Sequence, residues 1–173
     1  GKSALGSNTT ASFNTAVGYL ALLANTTGNY NIAVGLNSLT SNITGTRNTA
    51  VGSYALEDNT GSNNTSCGYG ALANNTSGGN NTAVGDHALQ ANTTGIENVA
   101  VGAGAGDTIT TGSNNVCLGY NAEPASATTN TSVTLGNSQI NSLRCNDTSI
   151  SGLSDARDKT EVVDLPSGLS FLN

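Results

Sequence analysis

The residues best equipped for chemistry lie near the carboxyl end of the chain, in the hexapeptide SDARDK at 154–159. The hydroxyl of Ser154 becomes a useful nucleophile only when a base removes its proton, and a lysine such as Lys159 can act as a base once burial lowers its pKa. The same residues also have a purely structural interpretation. Ser154 would cap the helix that DARDKTEVVDL predicts, with acidic residues near its positive end. The dipeptide Ser-Asp alone favours this helix cap.

The other reactive residue types form no catalytic or metal-binding pattern. His87 is the only histidine and has Asp86 beside it, but a single histidine in the variable part of a repeat is typical of a solvated loop. The acidic residues are scattered and suggest no facing pair of carboxylates, which a glycan-cutting site needs. The three cysteines lack metal-ligand spacing, and their odd number does not support a disulfide framework. The sequence therefore predicts no turnover enzyme, no cofactor and no metal site.

Composition and charge narrow the range of partners. The net charge is −6, with only five Lys plus Arg, which removes the electrostatic basis for gripping a nucleic-acid backbone or an anionic membrane. No apolar run is long enough to span a bilayer. We therefore expect no nucleic-acid partner and no membrane insertion. Large apolar residues are scarce, with two Phe, no Trp and no Met, so the material for a globular core is thin.

One short sequence recurs through most of the chain at nearly constant spacing. NTAVG occupies 14–18, 48–52 and 81–85, with near-copies NIAVG at 31–35 and NVAVG at 98–102. The opening asparagine and the closing glycine recur every 17 residues, with one interval of 16. The two series are Asn14, Asn31, Asn48, Asn64, Asn81, Asn98 and Asn115, and Gly18, Gly35, Gly52, Gly68, Gly85, Gly102, Gly119 and Gly136. About eight repeats therefore cover 1–137.

Each repeat predicts one short strand followed by turns. β-branched residues alternate with small ones in the recurring sequence, and segments such as NTTG are typical of turns. The Ala-Leu pair between them fits either a second strand or a helical turn. Because one unit buries too little alone, copies must stack with their strands about 4.8 Å apart. The predicted fold class is all-β, a parallel β-solenoid with asparagine ladders at its turns and a narrow interior of Ala and Val.

This thin interior also predicts association of several chains. Burial of the few apolar residues of a coil, at about 25 cal/mol per Å², hardly offsets the cost of ordering the coil. Partner chains would bury a second face, for which we favour a leucine stripe formed by Leu22, Leu39, Leu56, Leu72 and Leu89. Cys67 stands where Val17 stands in its copy, and Cys117 where Ala16 does, so both cysteines are predicted to be buried.

A row of tyrosines marks one edge of the predicted solenoid. Tyr19, Tyr69 and Tyr120 each follow a repeat glycine, so they recur at one position of the coil. Such a row could stack on sugar rings, but packing between adjacent coils is the preferred interpretation.

The recurring sequences NTAVG, NIAVG and NVAVG, with Ala-Leu pairs between them, resemble the head repeats of trimeric autotransporter adhesins. They also resemble the shaft repeats of phage tail fibres with the same architecture, a trimeric parallel β-roll. The resemblance covers 1–137, and the 17-residue period is longer than is usual in adhesin heads. The resemblance implies that the associated chains form a homotrimer.

After Gly136 the repeat stops and a different resemblance begins. SLRCNDTSISGLSDARDK, with GLSFLN at 168–173, resembles the beginning of the intramolecular chaperone domain of phage tail spikes and fibres, the endosialidase type. In that family, Ser-Asp-x-Arg-x-Lys marks a self-cleavage site that is cut once the trimer has folded. The resemblance implies that Ser154 is the nucleophile, Asp155 follows the cut and Lys159 is the base. Only 155–173 of a larger domain are present, so we do not expect this chain to cut itself.

Three segments and one main function follow. We expect a repetitive shaft or head at 1–137, a connector at 138–154, and the truncated start of the chaperone at 155–173 with a short helix. The resemblances imply a tail-fibre or tail-spike protein in the virion tail that contacts other tail proteins and attaches to host-surface polysaccharide or protein. One alternative is the passenger head of a trimeric autotransporter adhesin on the bacterial surface. Another is an enzyme, either a polysaccharide depolymerase or a protease that uses Ser154.

Overall fold

The computed structural model describes residues 1–140, which form a parallel β-solenoid, as the repeat predicts. Eight strands form one sheet in sequence order. The strands are β1 (Thr15–Val17), β2 (Ile32–Val34), β3 (Thr49–Val51), β4 (Thr65–Cys67), β5 (Thr82–Val84), β6 (Val99–Val101), β7 (Val116–Leu118) and β8 (Val133–Leu135). Each coil of the solenoid contributes one strand, and turns complete the rest of the coil.

Equivalent residues of successive repeats lie side by side. Ala33 pairs with Ala50 between β2 and β3, and Ala50 pairs with Ser66 across the 16-residue interval. The missing residue is absorbed in the following turn. There the Asn59 side chain bonds the carbonyl two residues ahead, whereas Asn42 bonds the carbonyl three residues ahead. The predicted stacking of copies is therefore confirmed, including at the irregular repeat.

The strands present their middle residue to the interior and their outer two residues to the outside. Ala50 and Ala100 have no exposed surface, whereas Val51 and Val101 are 39% and 41% exposed. The prediction that Ala and Val share the interior is therefore wrong for valine. Side chains alternate along a strand, so the first and third residues of a three-residue strand face the same way, and the middle alanine faces the narrow core.

After each glycine the chain returns through turns that are neither strand nor helical turn. Leu20 and Leu22 both have left-handed backbone angles, with φ of 57° and 55°. Backbone bonds still join the coils here, since the Leu22 N–H donates to the Ser38 carbonyl at 2.9 Å. A left-handed non-glycine residue costs about 1–2 kcal/mol. Burial of the leucine side chain, worth about 1.5–3 kcal/mol, offsets this cost.

The interior contains stacked columns of small residues from equivalent positions and one column of leucines. The leucine column is Leu22, Leu39, Leu56, Leu72 and Leu89, and no member is more than 1% exposed in the isolated chain. The expectation that this stripe forms a subunit interface is therefore wrong. The strand alanines and the leucines belong to one buried apolar cluster inside the coils. Any interface between chains must use another surface.

Candidate functional site

The asparagines that open each repeat form a hydrogen-bonded ladder inside the solenoid. The Oδ1 atom of Asn31 accepts from the backbone N–H of Asn48 at 3.0 Å, and its Nδ2 donates to the carbonyl of Gly45 at 2.8 Å. The pattern recurs from coil to coil, and the asparagines from Asn31 to Asn115 have no exposed surface. In this series the side chains therefore join successive coils through bonds to the backbone.

A second asparagine ladder runs beside the first and was not singled out from the sequence. It contains Asn8, Asn25, Asn42, Asn59, Asn75 and Asn92, and from Asn25 onward each side-chain Nδ2 donates to the Oδ1 of the preceding member. These bonds measure 2.7–3.2 Å. The signal was a second asparagine eleven residues after the first in most copies. It was hidden because asparagine is also common in turns.

The second ladder ends at Asn92 because the next coil has different residues at two of the repeat positions. Ile109 stands where an asparagine would follow, and Asn92 Oδ1 is buried without a hydrogen-bond partner. In the same coil Gly106 replaces the leucine of the core column. A Cβ at Gly106 would lie 3.2 Å from Cδ1 of Ile109. Ile109, fully buried, therefore fills the space that the missing leucine would occupy.

The glycines that close each strand allow the coils to approach closely. Gly52 has a φ of 138°, and a Cβ there would collide with the carbonyl oxygen of Gly68. Both the backbone angle and the lack of space exclude a side chain. The glycine series therefore has a structural role at the carboxyl ends of the strands, as the repeat predicts.

The two described cysteines have opposite environments. Cys117 lies in the strand-alanine column and is 1% exposed, as predicted. Burial, followed by the nearby charge of Glu123, raises the pKa of its thiol to about 11. Cys67 is exposed, so its predicted burial is wrong. It occupies the outward third position of β4, which valine takes in β3 and β5.

The outward side of the sheet is an uncharged surface with apolar stripes. It consists of the first and third residues of β1 to β8, and we call it the strand face. None of these residues is charged, and they are mainly Thr, Val, Ile and Leu. Val84 is 38% exposed and Val133 is 69% exposed. Stacking of copies has therefore produced a regular apolar surface that no other residue within 1–140 covers.

The aromatic row lies beside this face, at the turn that follows each glycine. Tyr69 packs edge to face with Tyr54 and with His87, at centroid distances of 5.5 and 5.3 Å, so the predicted packing between coils is confirmed for Tyr69. His87 is not a free loop residue. Its Nδ1 lies 2.7 Å from Asp86 Oδ1, and its side chain is 38% exposed. Tyr120 is 65% exposed.

A groove of about 360 Å³ separates His87 from Tyr120. Its lining residues are Asp86, His87, Gln90, Ala103, Gly104, Asp107, Tyr120 and Asn121. Next to this groove, Glu123 Oε1 accepts from the backbone N–H of Asp107 at 2.8 Å. Burial raises the pKa of the Glu123 carboxyl, and hydrogen bonds from Thr108 and Asp107 partly oppose the shift. Acidic residues that are scattered in sequence therefore gather along one side of three successive coils.

The residues predicted for self-cleavage, Ser154, Asp155 and Lys159, lie outside the described residues, as do most of the connector and the predicted helix. Within 1–140 the side chains of His, Cys, Asp and Glu form no group of three that could hold a metal ion. The same range holds no helix that is long and apolar enough to cross a membrane.

No protein-family model, no curated protein and no solved structure matches this chain.

Proposed function

We propose that this chain forms the homotrimeric shaft of a phage tail fibre or tail spike and serves in attachment to the host. The observation that carries the proposal is the strand face. The solenoid buries its interior columns within one chain, yet it also presents an apolar surface along the sheet.

The composition of the strand face favours burial in an assembly. A solvated sheet face normally carries charged or strongly polar residues, whereas the strand face carries none that are charged. Eight of its sixteen outward residues are large hydrophobic residues that are 38–69% exposed, and a contiguous exposed apolar surface of this kind is typical of a protein–protein interface. The partner we favour is a second and third copy of the same chain.

The number of chains and the viral context rest on the sequence resemblance. The repeats resemble trimeric β-rolls, and SDARDK at 154–159 resembles the self-cleavage site of tail-spike chaperones. In this proposal the full-length protein folds as a trimer with its chaperone and then loses the chaperone. Loss of the folding aid leaves a shaft that unfolds very slowly, which is kinetic stability.

The trimer gives the protein a mechanical and multivalent task. Three equivalent chains present every surface feature three times at fixed separation, so weak contacts with a host surface add through effective concentration. The shaft lies in the virion tail, contacts other tail proteins and holds its binding surfaces away from the virion. The expected target is polysaccharide or protein on the host cell.

A charge placed on the strand face tests the assembly. We expect Val101→Glu to shift the sedimentation mass from three chains to one, because three buried carboxylates would face each other. Ile96→Glu is the matched control, since Ile96 is 42% and Val101 is 41% exposed and only Val101 lies on the strand face. A Val101→Glu protein that keeps the trimer mass would contradict the proposal.

The self-cleavage part is tested in the chain extended by its natural downstream residues. We expect the extended protein to migrate as two fragments on a denaturing gel and the Ser154→Ala variant to remain one band. Ser151→Ala, three residues earlier, is the control and should still be cut. Cleavage that persists in Ser154→Ala would contradict the part of the proposal that assigns a self-cleaving phage chaperone to this protein. It would leave the trimeric shaft untouched.

A further inference from the structure

We propose that the groove between His87 and Tyr120 binds one neutral pyranose unit of a surface polysaccharide. The biological meaning of this site rests on the proposed attachment function, but the site itself is argued from the geometry of three successive coils.

The groove exists because one coil lacks the side chains that its neighbours carry. The position after the repeat glycine holds Tyr69, Asp86, Ala103 and Tyr120 in successive coils, and the next position holds Gly70, His87, Gly104 and Asn121. Ala103 and Gly104 therefore form a low floor between taller neighbours. Because coils lie about 4.8 Å apart, the two walls are separated by about two coil spacings. The resulting space is about 360 Å³.

The walls combine a ring with planar hydrogen-bonding groups. Tyr120 presents a ring that is 65% exposed, which provides an apolar face for the C–H side of a pyranose. The amides of Gln90 and Asn121 and the carboxylate of Asp107 surround the same space. Amides can donate to and accept from sugar hydroxyls, and carboxylates accept from them. A ring beside a few polar groups is the arrangement expected of a small-molecule site.

The charges of the groove select among sugars. Asp86 and Asp107 are both carboxylates at its border, and the only basic group on the lining is His87, which is paired with Asp86. Carboxylates disfavour a second negative charge nearby, so uronic acids and sialic acids are excluded by repulsion. Neutral hexose or N-acetylhexosamine units remain.

The groove stays open in the proposed assembly. None of its lining residues belongs to a strand, so the groove lies off the strand face that the proposed assembly covers. In a trimer it occurs three times, and three weak sites on one polysaccharide chain or surface bind more tightly than one.

The repeat itself supplies the test variants. Tyr120→Ala removes the exposed ring. Ala103→Tyr fills the groove with a tyrosine, the residue found at the equivalent positions Tyr69 and Tyr120 of other coils. Tyr19→Ala is the matched control, since Tyr19 takes the same repeat position outside the groove and is 49% exposed. The native, fluorescently labelled protein and each variant are applied to an array of neutral hexose, N-acetylhexosamine and uronic-acid oligosaccharides. The sedimentation mass of every variant is measured in parallel.

We expect the native protein and Tyr19→Ala to bind neutral oligosaccharides equally. The other two variants should lose about tenfold in affinity per site, as removal of one stacking contact predicts. Equal binding by all four proteins would place the sugar site elsewhere and overturn the proposal, as would binding of uronic-acid oligosaccharides alone or of none. If the proteins sediment as trimers, such a result leaves the shaft function standing. A monomeric native protein removes the shaft function whatever the array shows.

Discussion

Exchanging Gly106 and Ile109 for the residues of the neighbouring copies tests how the interior is filled. The variants are Gly106→Leu, Ile109→Asn and the double substitution. The double variant restores both the leucine column and the second asparagine ladder. It also provides a donor for Asn92 Oδ1, which is buried without a partner.

The expected costs follow from the contacts of the two side chains. Ile109→Asn removes a fully buried isoleucine and leaves the place of the missing leucine empty, which should cost about 2–4 kcal/mol. Gly106→Leu forces a side chain against Ile109 Cδ1 and Leu89 Cδ2, which lie 3.2 and 3.1 Å from the position of its Cβ, and should cost about 1–3 kcal/mol. The left-handed angle at Gly106, φ 62°, is close to the φ of 52° that Leu89 already adopts.

The double variant should recover these losses. The new leucine would fill the space that Ile109 leaves, and the new asparagine would bond Asn92 Oδ1 and the carbonyl of Gly112, as its counterparts do in other coils. We expect a free energy of unfolding within about 1 kcal/mol of the native protein, so the coupling between the two sites is favourable by at least about 2 kcal/mol.

The assay is urea unfolding of all four proteins at one protein concentration, followed by circular dichroism. Fixed concentration is needed because association contributes to the measured stability. Single variants whose losses simply add in the double variant would refute the reasoning, because additivity would mean that Ile109 does not occupy the place of the missing leucine.

Three further predictions concern the ladder, the core and a buried thiol. Asn59→Ala should lower the free energy of unfolding by about 3 kcal/mol, because it removes the four hydrogen bonds that this buried side chain makes, each worth about 0.5–1.5 kcal/mol. Asn8→Ala, at the exposed end of the same ladder, should cost under about 1 kcal/mol in the same urea titration. Leu56→Ala should cost about 2–5 kcal/mol and leave the sedimentation mass unchanged, because the leucine column is internal; a shift to monomer would restore the leucine stripe as the interface. In the folded protein the pKa of the Cys117 thiol is raised from 9.0 to about 11. The stability that the protonated thiol provides is therefore complete below pH 9 and is lost as the pH rises through 11. Stability should therefore fall by about 2–3 kcal/mol over that range, and Cys117→Ala should remove this part of the pH dependence.

The repeat could be predicted because its positions tolerate few residue types. Gly52 has no room for a Cβ, and the asparagine at the start of each strand must both accept and donate inside the coil. Such positions leave a fixed residue at a fixed spacing, which is visible in one sequence. The number of strands and their parallel order followed from that spacing.

The direction of the apolar side chains could not be predicted in the same way. A valine suits a core and an interface equally, and the sequence does not state which of three strand residues faces inward. The leucines adopt left-handed angles that leucine rarely takes, so the geometry that buries Leu56 has no local signal. The predicted burial of Cys67 is wrong for the same reason, because Cys67 aligns with valines that face outward.

The groove was hidden because it depends on neighbours in three dimensions. Asp86, Ala103 and Tyr120 lie 17 residues apart, and their association appears only when the coils are aligned residue by residue. In sequence, Ala103 and Gly104 belong to an unremarkable glycine-rich stretch. In the solenoid they are the floor between two walls.

The reactivity of Cys67 gives the most direct test of the central proposal, that the strand face joins the subunits. In a Cys145→Ser background, the native protein is treated with N-ethylmaleimide and the modified cysteines are counted by mass spectrometry. Cys67 is exposed in the single chain and Cys117 is buried, so Cys117 is an internal reference for protection. We expect Cys67 to be as unreactive as Cys117 until the protein is unfolded. Rapid modification of Cys67 in a folded protein that keeps its native mass would contradict the account.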